Sequence, residues 1–117
     1  MGWVGLASAW VLMAATGCHS AYVEATVTNH TAKTISLVEV DYPSASFGTQ
    51  NLKPGQVFHY KFKVLGSGPV KVTYTDTAEK EHKASGPSLS EGNEGPLEIV
   101  IADGGVSWVP ASFPASR

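Results

Sequence analysis

The 117-residue chain has one cysteine, two methionines, and no Asp, Glu, Lys or Arg before Glu24. Each shortage closes off a class of protein. A single thiol, Cys18, allows no internal disulfide, and beside four scattered histidines it builds no four-ligand zinc site. Eight Lys plus Arg against ten Asp plus Glu leave a net charge of −2, so no basic field exists to hold a phosphate backbone. Nucleic acid is thereby excluded as a partner. The chain is also short, 12.3 kDa in all, which suits one small domain and excludes a multidomain enzyme.

What the chain does have is an uncharged, mostly apolar start. The stretch from Trp3 to Thr16 falls short of the roughly 20 residues of a bilayer span, and small residues follow at Ala14, Ala15, Thr16 and Gly17. A signal-peptide core fits this better than a permanent transmembrane helix. The motif Ala15-Thr16-Gly17-Cys18 resembles the lipobox of bacterial lipoproteins. That resemblance implies cleavage between Gly17 and Cys18, palmitate-type acyl chains attached through the Cys18 sulfur, and membrane lipid as a partner. It also implies a cell-envelope location, with the domain facing the periplasm or the exterior. Each buried CH₂ contributes about 0.8 kcal/mol, so two or three chains anchor where one binds only marginally. The alternative for Cys18 is a free thiol in an N-terminal helix.

The expected division is a signal peptide over 1–17, a lipidated cysteine and short tether over 18–21, a β-sandwich over 22–109, and a flexible C-terminal tail over 110–117. His19 falls in the tether. From Tyr22 onward the two-residue period of half-buried strands dominates. Val23, Ala25 and Val27 alternate with polar neighbours; Val70, Val72 and Tyr74 do the same. In Ile35 to Tyr42 the apolar phase shifts after Leu37, which predicts a bulge. Pro43 ends that run, and 44–49 reads as an irregular connection.

Pro54-Gly55 predicts a type II turn, followed by a strand whose row Phe58, Tyr60, Phe62 and Val64 faces the core while His59, Lys61 and Lys63 face water. The charged segment Thr77 to Lys83 reads as a hairpin tip or polar edge strand, Gly86 to Pro96 as a loop, and Asp103-Gly104-Gly105 as a reversal between two last strands. No window after the leader sustains a 3.6-residue period. The fold class expected is all-β: a two-sheet, immunoglobulin-like β-sandwich of about seven strands behind an N-terminal signal helix. The Cys, Trp, Cys hallmark is absent, so the likeness is one of architecture.

Chemistry is sparse in the sequence. His30, His59 and His82 show no metal-ligand spacing and no framing carboxylates, so no metal site is assigned. The run from Leu52 through Phe62 is similar to a turn and strand of cupredoxins, but a late Cys and Met are missing: Met1, Met13 and Cys18 all precede the domain. Ser88 and Ser90 match no nucleophile elbow, Gly66-x-Gly68 no phosphate loop, and Asp76 with Glu79 no calcium loop. Asn29-His30-Thr31 is formally a glycosylation sequon that a bacterial lipoprotein leaves unused. No catalytic residue and no cofactor is expected, and the aromatic residues are assigned to packing. The expected function is that of a non-catalytic, lipid-anchored binding or structural module. The alternatives are an accessory domain contacting another envelope protein and, behind it, a small hydrolase or metal carrier.

Overall fold

In a computed structural model, residues 21–114 are described. The leader, Cys18 and the last three residues lie outside them, so the expected signal helix and lipidation point do too. Within them stand eight strands: β1 (Val23–Asn29), β2 (Ile35–Tyr42), β3 (Ala45–Leu52), β4 (Val57–Phe62), β5 (Gly68–Thr75), β6 (Glu81–Leu89), β7 (Gly95–Ala102) and β8 (Gly105–Val109). They form two four-stranded sheets, ordered β4-β1-β7-β8 and β3-β2-β5-β6. The architecture is a two-sheet β-sandwich, as the alternation predicts. All pairings are antiparallel except β1 with β7, which run parallel from Val23↔Gly95 to Asn29↔Ile101.

Alternation explains why these segments pair face to face. In β1, Val23, Ala25, Val27 and Asn29 are buried; in β7, Leu97, Ile99 and Ile101 are fully so. Opposite them Val38, Val40, Val70 and Val72 close the core from the second sheet. Branched aliphatic side chains fill the space between pleated sheets about 10 Å apart, and burying each is worth roughly 1.5–3 kcal/mol.

The open flanks are closed by aromatic residues. Edge strand β3 lies beside β4, and β6 beside β8. Between β3 and β4 sit Tyr42, Phe47, Phe58, Tyr60 and Phe62; Tyr42 stacks on Phe62 at 4.0 Å between centroids and Phe47 on Tyr60 at 4.3 Å. On the other flank Trp108 of β8 lies over Gly86 of β6, and a Cβ at Gly86 would fall 2.6 Å from the indole Cε2. Glycine is therefore required there by close approach rather than by backbone conformation.

Four expectations need correction. There are eight strands, because 44–49 is not irregular: Pro43-Ser44 form a two-residue turn and Phe47 lies in β3, buried between flanking exposed residues. Its polar composition reflects an edge strand with one dry position in the middle. Second, Gly86 to Pro96 is not a loop. Residues 86–89 continue β6 and Gly95-Pro96 open β7, so the turn is confined to 90–94.

Third, Tyr60 is 40% exposed. It lies on an edge strand, stacked on Phe47 but still open to solvent, although Phe62 and Val64 are buried as the period requires. Fourth, the β2 pairings hold one register against both neighbours. The phase shift is real, with Ile35 and Val38 both buried and Leu37 exposed. The irregular residue, however, is Asn51 on the partner strand, with φ 53°. The register shift in that sheet falls instead between Pro69 and Lys71 of β5, where proline has no N–H to offer the ladder. In the segment expected as a tail, Phe113 packs against the core and the Pro114 carbonyl accepts a 3.1 Å hydrogen bond from Asn93.

Candidate functional site

Strand direction defines two ends of the sandwich. The chain enters β1 at Val23 beside Phe62 and Gly95, and leaves it at Asn29 beside Ile101. At about 3.3 Å per residue, β1 carries the chain about 20 Å from the entry end to the far end. A cleft of 370 Å³ opens at the far end, lined by Thr31 to Ile35, Tyr74, Asp76, His82, Ala102 and Asp103.

One wall is the β1–β2 connection, and a single buried side chain shapes it. Asn29 is 0% exposed. Its amide nitrogen donates to the Lys33 and Leu52 carbonyls, both at 2.8 Å, and its Oδ1 accepts from the Thr31 N–H at 2.9 Å. The Thr31 hydroxyl lies 2.7 Å from Asn29 Oδ1 and 2.9 Å from the Lys33 carbonyl, its one proton shared between them. This is an Asx turn closed on itself, which is why Asn ends the strand and Thr follows two residues later. The Asn29 backbone also holds the β3–β4 turn, accepting from Gly55 N–H at 2.7 Å and donating to Gln56 at 3.1 Å. That turn has the Pro54-Gly55 form the sequence predicts: Gly55 takes φ 80° and Gln56 N–H bonds the Lys53 carbonyl at 2.9 Å.

The β5–β6 hairpin end lines the cleft as well. Asp76 Oδ1 accepts the N–H groups of Ala78 (2.9 Å) and Lys80 (3.0 Å), and Oδ2 lies 3.0 Å from His82 Nε2. The His82 bond, together with the two backbone donors, holds the Asp76 carboxyl below its ordinary value despite partial desolvation. Beneath it the Tyr74 ring stacks on the His82 imidazole, centroids 4.7 Å apart and 14° from parallel. Burial, with the Asp76 charge behind it, pushes the Tyr74 phenol upward. Both residues of the ion pair are about a third exposed, 36% for His82 and 33% for Asp76, so solvent screens the pair.

The carboxylate–imidazole pair clips the hairpin end together. Among the described residues no hydroxyl bonds the His82 ring. Ser36 Oγ is committed to the Thr75 and Asp76 carbonyls, 3.0 and 3.4 Å away, and the Thr31 hydroxyl is held by Asn29. The three histidines considered as ligands sit on different elements: His30 after β1, His59 in β4 beside Thr26, and His82 in β6. Among the described residues no group of three His, Cys, Asp or Glu could hold a metal ion. Ser88 lies in β6, and the Ser90 N–H is taken by Asn93 Oδ1 at 2.8 Å.

Sequence reasoning named His82 and Asp76 separately and missed that the hairpin joins them. Six residues apart across a turn, they are the pair a β-hairpin tip brings together. The signal for Asn29 is the Asn-x-Thr at a strand end, which has the form of a sequon and here builds a turn.

No family model matches the chain, and no curated protein matches it. Among solved structures the chain is similar to the NMR structure of a protein from Eubacterium rectale, with 13% identity and a TM-score of 0.57, over 86% of this chain and 96% of that one. At that identity the likeness is one of fold alone: two chains with few residues in common build the same kind of β domain.

Proposed function

We propose that the protein is a lipid-anchored, non-catalytic binding module of a bacterial cell envelope, held to membrane lipid through acylated Cys18. The observation that carries this reading is the polarity of the fold. Cys18 precedes Tyr22 by four residues in the sequence, β1 starts at the entry end, and the preorganised cleft opens at the other. A tether that short holds the entry end at the lipid surface and turns the cleft away from it. Two side-chain networks fixing the cleft walls suit binding, since walls already ordered cost little to order again. The His82 imidazole is engaged by Asp76 in holding one of those walls.

The test is metabolic labelling with a palmitate analogue in a bacterial host. Label is expected on the wild-type chain and lost in Cys18→Ala, with both chains exported; equal labelling of the two would refute the anchor.

A second reading, an accessory domain that meets another envelope protein by strand addition, is favoured by one edge. β4 contains neither Gly nor Pro, and among the described residues its only ladder partner is β1. Cross-linking from a photoreactive residue at position 59 would trap the same partner repeatedly on this reading, and none without it.

A further inference from the structure

The cleft's charges are not all equally committed. Asp76, with two backbone N–H groups and His82 on its two oxygens, is used up in holding its own hairpin. Two charged groups remain at the cleft, Lys33 on the β1–β2 connection and Asp103 on the β7–β8 turn. Among the described residues neither side chain has a hydrogen bond or an ion pair. They are of opposite sign, and they come from two different connections. The Tyr74–His82 stack lines the same cleft, a flat, polarizable surface whose phenol oxygen has no hydrogen-bond partner among the described residues.

We propose that this cleft binds a small zwitterion, an amino acid or short peptide with free termini. Its carboxylate sits on Lys33, its ammonium on Asp103, and its body lies along Tyr74 and His82. A ligand of one charge would gain one partner and be repelled by the other, whereas a ligand with both gains twice. The 370 Å³ volume lies at the small end of ligand pockets and accommodates a dipeptide. Lys33 is prepositioned because its own carbonyl receives the buried Asn29 amide, so its backbone does not have to be ordered by the ligand. The assignment rests on the cleft being a binding site at all, and the experiment separates the two.

The full chain, in detergent micelles and ¹⁵N-labelled, is titrated with L-alanyl-L-alanine, its N-acetyl form, its C-terminal amide, and trehalose as a neutral comparison. The free dipeptide is expected to shift the Lys33, His82 and Asp103 amides saturably. Blocking either end should weaken binding about tenfold, the scale of one exposed charge-assisted contact. Lys33→Ala should abolish the sensitivity to amidation and leave that to acetylation; Asp103→Asn should do the reverse. Saturable binding that ignores both blocks, or that trehalose alone produces, would overturn the zwitterion while leaving the cleft a site. No saturable shift with any of the four would overturn both.

Discussion

Asn29→Ala tests the idea that one buried amide organises the cleft end. The substitution removes two donated hydrogen bonds of 2.8 Å and two accepted contacts of 2.9 and 2.7 Å. The Leu52 carbonyl, on a residue 2% exposed, loses a donor that water cannot replace. Lys33 is exposed and its carbonyl keeps the Thr31 hydroxyl, so that bond counts for less. At about 1 kcal/mol net per bond, discounted on the wet side and increased by the unsatisfied carbonyl, the loss is about 3 kcal/mol. A domain of this size holds about 5–15 kcal/mol in all and its midpoint moves about 4–8 °C per kcal/mol, so melting should drop by roughly 15 °C.

The assay is equilibrium urea unfolding followed by the fluorescence of Trp108, the one tryptophan among the described residues, with the slope unchanged. Asn29→Asp is the sharper companion. It keeps the acceptor but points a carboxylate oxygen at two carbonyls, so it should be worse than alanine at neutral pH and should recover as the medium is acidified and the carboxyl becomes a donor. A loss below about 1 kcal/mol in Asn29→Ala, with amide exchange at Thr31 and Lys33 unchanged, would refute the argument.

Three further outcomes follow from other parts of the sandwich. Gly86→Ala drives a methyl into the Trp108 indole and should cost about 1–3 kcal/mol; combined with Trp108→Leu it should cost less than the two single losses added, and strict additivity would be evidence against the contact. Asp76 has a folded pKa below its ordinary 3.8, so its ionised form favours the folded state above that pH, and the benefit disappears as the pH falls through the lower folded value. Urea midpoints of Asp76→Asn taken at successively lower pH should therefore fall less steeply than those of the wild type, and parallel curves would contradict the linkage. Phe47→Ala, at 8% exposure and touching Tyr42, Phe58, Tyr60 and Phe62, should cost about 3–5 kcal/mol. Tyr60→Ala, at 40% exposure, should cost less than half of that by the same unfolding assay.

Most of the sandwich was legible because its central strands carry their environment in the pattern. β1, β5 and β7 read correctly since a dry face and a wet face leave a period of two. Edge strands leave less. In β3 only Phe47 and Leu52 are buried out of Ala45–Leu52, so no period survives, and the segment resembles a loop until its partner β2 is known. The end of β6 fails for a related reason: Gly86-Pro87 reads as a breaker pair, yet Gly86 is there to admit Trp108 and Pro87 is accepted on an outer strand. Both misreadings come from tertiary contacts, between sheets or at an edge, that leave no local periodicity.

The cleft was harder to read than the fold because its parts are distant in sequence and individually ordinary. Lys33, Asp76, His82 and Asp103 each look like solvated surface, and only the sheet order brings the β1–β2, β5–β6 and β7–β8 connections to one end. What sequence could have supplied were the two local devices that stiffen them: an Asn-x-Thr at the end of a buried strand, and an Asp opening a turn with a His six residues on. Each is a side chain substituting for backbone partners that a turn leaves open, so each recurs where a loop must hold one shape without a core beneath it. Here two of them hold connections that line one cleft, which is why its walls are ordered although no strand ladder runs through them.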